Sequence, residues 1–206
     1  MTSAGDLAGA VWREPSGIQP GARLPAPGDL ALVQSFINSH YDLEFEHGAD
    51  LFATPTALAA WLTRRGLPTR TLTDADVRRA IAVREGLRAL ARANGELAPP
   101  TLAGTRAVLN EAARGAPVEV RFADHGPRFV AGAPAGLDRA LGVVLAIAAR
   151  AMIDGSWARL KVCPGEDCGW AFYDHSRNQS GRWCSMAVCG GRAKARGYYR
   201  RRRGGR

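Results

Sequence analysis

Apolar residues recur along the chain at helical spacing. Leu30, Val33, Ile37 and Tyr41 step by three and four, and Leu32 and Phe36 widen the stripe, which predicts a helix over Asp29–Tyr41. Thr54-Pro55 offers a capping hydroxyl followed by proline at the first helical position. Leu58, Trp61 and Leu62 then share a face, and Gly66 and Pro68 stop the helix. Thr73 and Asp76 form a capping box for a longer helix to about Asn94, with Ala80, Val83, Leu87 and Leu90 as its seam. A shorter helix is expected over Leu102–Ala113. Val118–Phe122 and Arg128–Val130 read as two short strands around a turn at 123–127. Leu137, Leu141, Val144, Leu145, Ala148 and Met152 give the strongest helical pattern, almost free of polar residues, as expected of a central helix.

The body is therefore expected to be mainly α with a short β-hairpin. Residues 1–28 hold four Pro and five Gly, and form a flexible N-terminal arm on this reading. Trp12 in that arm either docks on the body or stays exposed. Asp42, Glu44 and Glu46 beside His47 fit an exposed acidic loop or strand better than a metal site.

Charge divides the 206 residues unevenly. Residues 1–160 carry 17 basic and 16 acidic side chains, whereas residues 161–206 carry 11 and 3, so the last segment holds +8 of the net +9. That excludes a uniformly basic domain. It points to a polyanion partner for the C-terminal segment, against the plainer reading of a solubilising tail. The longest apolar run, 140–149, has ten residues, whereas a membrane span needs about 20. No secretory signal is visible, so the cytoplasm is the expected compartment, with the bacterial nucleoid if DNA is bound.

All four cysteines fall in the basic segment. Cys163 and Cys168, then Cys184 and Cys189, give C-x4-C, fifteen residues, C-x4-C. Two such pairs can supply four thiolates to one tetrahedral, closed, structural Zn2+, whose binding would fold a segment too small to hold itself together. An iron–sulfur cluster and a redox dithiol are the competing readings. Trp170, Phe172, Tyr173 and Trp183 suit either a base-stacking platform or a miniature core over the metal, the latter favoured because Trp170 and Phe172 alternate as on a strand. Asp174 and Ser176 are expected to satisfy backbone groups beside the metal, and His175 to lie at the surface.

The run from Cys163 through Trp170-Ala171-Phe172-Tyr173-Asp174-His175-Ser176-Arg177-Asn178, followed by Arg182-Trp183-Cys184-Ser185-Met186 and Cys189-Gly190-Gly191-Arg192, resembles the CGNR zinc finger family over roughly residues 160–202. The signature Asn is replaced by Gly191, which keeps a left-handed turn possible but supplies no amide side chain. Phe36-Ile37-Asn38-Ser39, Leu51-Phe52-Ala53-Thr54-Pro55 and Leu58-Ala59-Ala60-Trp61-Leu62 are similar to the ABATE domain that precedes this finger. The resemblance implies a stress-related transcription regulator with a DNA-binding finger, treble-clef-like or ribbon-like. It suggests a division into an arm (1–28), an ABATE-like domain (29–157) and a finger with a basic segment (158–206).

If residues 192–203 are helical, Arg192, Arg196, Arg200 and Arg203 fall within about 80° around the axis, with Lys194 and Arg201 opposite. Gly197 weakens that helix by roughly 1 kcal/mol. Arg177 and Arg182 are further phosphate candidates. DNA is the expected partner, since guanidinium pairs with phosphate and guanine alike. An RNA-binding zinc protein and a protein-interaction module with a purely structural zinc are the alternatives. A homodimer through the helical body is possible, and the pattern identifies no small-molecule effector. No catalytic constellation is visible, so an enzyme is not expected.

Overall fold

The computed structural model describes residues 19–40, 50–67, 69, 71–95, 101–124, 126–165 and 168–204. In chain order the elements are α1 (Leu30–Ile37), α2 (Pro55–Arg64), α3 (Asp74–Ala93), α4 (Ala103–Gly115), β1 (Val118–Ala123), β2 (Gly126–Ala131), α5 (Gly136–Ile153), β3 (Leu160–Val162), β4 (Ala171–Tyr173) and α6 (Gly191–Gly204). The body is mainly helical with one short hairpin, as its apolar pattern indicates. Trp12, Tyr41 and the acidic run Asp42–His47 lie outside the described residues.

The helix starts follow from local chemistry. Thr54 Oγ1 accepts the Ala57 N–H ahead of Pro55. Thr73 and Asp76 make a reciprocal capping box on α3. The first helix ends earlier than its periodicity suggests. Asn38 leaves the helical conformation at φ −80°, ψ 7°, and its amide is engaged elsewhere.

α5 packs against α1, α3, α4 and both hairpin strands. Its Leu137, Leu141, Val144 and Ala148 are buried in the main core. Phe36, Phe52 and Trp61 close that core at the α2 end, with ring centroids 5.2–5.7 Å apart in tilted or edge-on arrangement. The hairpin is in register from Val118↔Ala131 to Ala123↔Gly126, so its turn is only two residues long, not five. Gly126, at φ +102°, supplies the backbone freedom for the tighter turn.

The arm and the C-terminal segment are both tied to the body. Residues 19–28, read as part of a flexible arm, are packed. Ala26 is buried, and its N–H donates to Gln34 Oε1 at 2.7 Å. Gln19 Oε1 accepts from Gln34 Nε2 and from Trp170 Nε1, each at 3.0 Å. Proline and glycine deny this stretch regular structure, but not a docked path. Beyond residue 157, Leu160, Val162, Ala171 and Tyr173 pack into the body's core. No helix among the described residues is long and apolar enough to cross a membrane.

Candidate metal centre and nucleic-acid interface

The short ribbon β3–β4 sets up the metal centre through period-two alternation. It pairs antiparallel with Leu160↔Tyr173, Lys161↔Phe172 and Val162↔Ala171. Ala171 and Tyr173 enter the body's core, whereas Trp170 and Phe172 pack with the four cysteines and Trp183. Trp170, Phe172 and Trp183 are therefore a miniature core over the metal and not a stacking platform, whereas Tyr173, expected with them, belongs to the body's core.

Each cysteine pair is held by its own backbone turn. In the first, the Cys163 N–H donates to Trp170 O at 2.9 Å and the Cys168 N–H to Gly165 O at 3.1 Å. A Cβ at Gly165 would sit 3.2 Å from Cys168 Cβ and 3.3 Å from Cys189 Sγ, so a larger residue would crowd the sulfurs. In the second, Ser185 Oγ accepts the Val188 N–H and Ser185 O accepts the Gly190 N–H. This closes a π-helical turn, Met186–Gly190, that carries Cys189 and runs directly into α6. The last ligand thus comes from a helical segment, which is the treble-clef-like arrangement of the two expected.

The four ligand sulfurs lie within 4.8 Å of one another, and all four cysteines are buried and free of disulfides. Cys168 Sγ and Cys189 Sγ are each 3.6 Å from Cys184 Sγ. A tetrahedron with metal–sulfur bonds of about 2.3 Å has edges of about 3.8 Å, so the set fits Zn2+. The same spacing is far longer than a disulfide bond of about 2.05 Å. Four thiolates fill the tetrahedron and make the centre structural. The four thiols are electrostatically coupled. Hydrogen bonds from Cys168 and Cys184 pull the Cys163 thiol down, whereas the sulfur contacts with Cys163 push Cys168 and Cys184 up, and burial pushes Cys189 up. A bound Zn2+ would favour the thiolate form of all four, so its binding would release protons.

Polar side chains mount the finger on the body. Asn38 Nδ2 donates to Ala171 O at 2.8 Å and Asn38 Oδ1 accepts the Ala171 N–H at 2.7 Å, as a neighbouring strand would. Gln34 Nε2 also donates to Ala171 O. Buried Arg88 donates to Ile37 O at 2.7 Å and to the carbonyls of His40 and Gly169, tying α1, α3 and the first cysteine turn together. Asn94 Nδ2 donates to Trp157 O and Leu160 O. Arg23 donates to Trp183 O and Cys184 O and lies 4.8 Å over the Phe172 ring.

The loop from Asp174 to Gly181 hangs on a buried ion pair. Lys161 Nζ lies 2.8 Å from Asp174 Oδ2 and also donates to Gln179 O and Gly181 O. Asp174 additionally accepts from Ser176 N–H, Ser176 Oγ and the Gly181 N–H. Burial works against the charged carboxylate, but Lys161, the Ser176 hydroxyl and these backbone donors outweigh it and hold Asp174 down at about 2. Ser176 and Asp174 thus satisfy each other and the loop backbone. His175 is exposed and within 3.0 Å of Pro25 O.

The basic residues are distributed over two places. Arg192, Lys194, Arg196 and Arg200 stand on α6, with Arg192 half-buried and the others exposed. Arg203 lies in α6, with its side chain outside the described ones. Arg177 is exposed in the 174–181 loop, and Arg182 is exposed with its guanidinium 5.6 Å over the Trp183 ring. A Cβ at Gly190 would come within 3.3 Å of Trp183, which places Arg182 near the start of α6. Gly191 is right-handed at φ −62°, ψ −47°, so a left-handed turn is not what selects glycine there. A Cβ at that position would meet nothing closer than 3.7 Å.

Sequence patterns did not single out Tyr198 and Tyr199. Both are exposed on α6, edge-on to each other at 5.7 Å, and Arg202 donates to Tyr198 Oη at 3.2 Å. Their signal is two adjacent aromatics inside an otherwise cationic run, visible only once that run is known to be helical. Nor did the patterns single out Arg23, Gln34, Arg88, Asn94 or Lys161.

Comparison with protein families agrees with this geometry. Residues 159–202 match the CGNR zinc finger. Residues 30–155 match ABATE, whose description reads "Putative stress-induced transcription regulator". No curated protein matches the chain. The second match alone spans more than half of the sequence, and the chain therefore belongs to the ABATE family, here followed by a CGNR zinc finger that holds one structural zinc.

Proposed function

We propose that the protein is a DNA-binding transcription regulator that works by binding and not by catalysis, with α6 as the element that meets the duplex. The observation that carries this reading is the row Arg192, Arg196 and Arg200 on one side of a helix whose first turn is anchored through Cys189. The α6 segment from Gly191 to Gly204 contains seven cations and no acid. Such a helix reaches phosphates on both walls of a groove, and its arginines can pair bidentately with guanine. Arg182 extends the cationic surface beside the metal turn, and Arg177 offers a separate phosphate contact from the neighbouring loop. The nearly neutral body holds the finger in place through Asn38, Arg88 and Asn94. The reading places the protein in the cytoplasm, on the nucleoid.

A second reading, RNA as the polyanion, is favoured by the exposed Tyr198–Tyr199 pair, since unpaired bases stack on aromatic rings. Anisotropy titrations of the zinc-loaded protein with random duplex DNA, hairpin RNA and a neutral polymer separate the readings. Tighter binding to duplex, weakened by R192A/R196A while zinc content stays at one per chain, supports the DNA reading. Preference for the hairpin, lost in Y198A/Y199A, overturns it in favour of RNA.

A further inference from the structure

The hairpin ends in a surface that the body does not cover. Val118, Val120 and Phe122 of β1 share one face with their cross-strand partners Ala131, Phe129 and Pro127. Ala131 is buried against α5, where a Cβ added at Gly142 would meet it at 3.0 Å. Toward the tip the same face emerges into solvent, with Val120 54% and Phe122 86% exposed. Every residue of β1 from Glu119 to Ala123 is exposed.

Among the described residues no strand pairs with the outer edge of β1, and that edge has a defined hydrogen-bonding parity. The Gly132 N–H donates to Pro117 O at 2.7 Å, which makes 117↔132 a hydrogen-bonded pair of the ladder. Alternation then directs the backbone groups of Glu119, Arg121 and Ala123 toward β2. Those of Val118, Val120 and Phe122 point away from it, at the unpaired edge. Natural edge strands are usually blunted, often by charge, because such an edge recruits another strand. Here the charges do not simply blunt it, because their order is self-complementary. Around Val120 the sequence reads Val118-Glu119-Val120-Arg121-Phe122.

We infer that β1 is a homodimer interface, in which two copies pair their β1 edges antiparallel about a two-fold axis at Val120. In that register the outward backbone groups of Val120 meet their own counterparts, and those of Val118 meet those of Phe122. Glu119 of each copy faces Arg121 of the other across a non-hydrogen-bonded pair. Within one chain these two side chains already lie 3.6 Å apart, so the dimer carries an alternating ring of four charges. On the opposite face, each Phe122 covers the second copy's Val118. The result is a four-stranded sheet joined through the hairpins, and not a dimer through the helices of the body. It would place two α6 helices on one particle, as a two-fold-symmetric DNA site requires.

The parity and the charges give a test that needs no nucleic acid, so its outcome is separate from that of the DNA reading. Sedimentation equilibrium of the zinc-loaded full chain is expected to give a dimer of the 22.0 kDa subunit. E119R or R121E alone places like charges opposite one another twice, and each is expected to weaken dimerisation about tenfold or more. Both sites are exposed, so folding is not at stake. Mixing the two single variants, or combining them as E119R/R121E, restores opposite charges across the axis and is expected to restore the dimer. A monomeric wild type, a dimer indifferent to the single swaps, or single-swap monomers that neither mixing nor combination rescues would each overturn the interface.

Discussion

α5 and α6 are both regular helices, but they are held by opposite means. α5 has 18 residues, of which nine are buried, and its sequence is apolar nearly all round. α6 has 14 residues, of which seven are cations. Burial of nine of its residues ties the formation of α5 to the body's core. α6 has little to bury. Arg192, Arg196 and Arg200 stand one turn apart, and like charges at that spacing oppose an isolated helix by roughly 0.2–0.5 kcal/mol per pair. What α6 does have is a fixed beginning, the cysteine turn at Met186–Gly190, and a cationic C-terminal end that suits the helix dipole. A helix held by packing is a scaffold; a helix held at one end by a metal, with seven cations along it, is a probe.

Removing the metal should break this contrast most strongly. Zinc binding to small thiolate sites supplies about 10–16 kcal/mol of apparent free energy. Chelation should therefore abolish the α6 contribution to far-UV circular dichroism and leave α1–α5 helical. The β3–β4 ribbon should persist in part, because Leu160 and Ala171 are buried in the body. An α6 that stays helical in excess chelator would show that the metal does not hold it.

The Lys161–Asp174 pair comes next. D174A leaves Lys161 buried without its counter-ion and frees the 174–181 loop, a loss expected to cost about 3–5 kcal/mol in urea unfolding. A core truncation in α5, L141A, should cost about 2–5 kcal/mol, whereas R200A on α6 should stay within about 0.5 kcal/mol. Equal losses at the two sites would erase the distinction between scaffold and probe.

Acid should act through the same carboxylate. Asp174 is held at about 2 in the folded protein, against an ordinary value of 3.8. Its folded pKa is depressed, so its contribution of about 2 kcal/mol is fully present above the ordinary value and is lost as pH falls through about 2. D174N should flatten stability against pH in that window. A smaller effect is expected at Gly197, where a Cβ would meet only Arg201 at 3.5 Å. G197A should stabilise α6 by about 1 kcal/mol, seen as added helicity at high temperature.

Local rules were legible in the sequence. Thr54-Pro55 and the Thr73–Asp76 box start their helices where side-chain chemistry says they should. The C-x4-C spacing gathers four sulfurs, and the alternation of Trp170 and Phe172 puts both on the metal side of β4. What periodicity does not carry is the partner of a buried polar group. Asn38 bonds Ala171, which lies 133 positions away, and Arg88 bonds Gly169 at a separation of 81. Each reads as an ordinary polar residue on a helix until both ends are in place. The same ignorance of distant partners made residues 19–28 look loose, although Gln19, Arg23 and Ala26 are all engaged. Gly191 shows the converse. Its residue type suggests a left-handed turn, but the helix passes through it in ordinary right-handed geometry.

The salt dependence of duplex binding by the zinc-loaded chain tests most directly whether α6 is the binding element. If six to eight of its cations and their neighbours contact phosphates, log K should fall with log salt at a slope of about −5 to −7, and R192A/R196A should make the slope shallower by about 2. A slope near zero, or one unchanged in the double variant, contradicts a phosphate-bound α6.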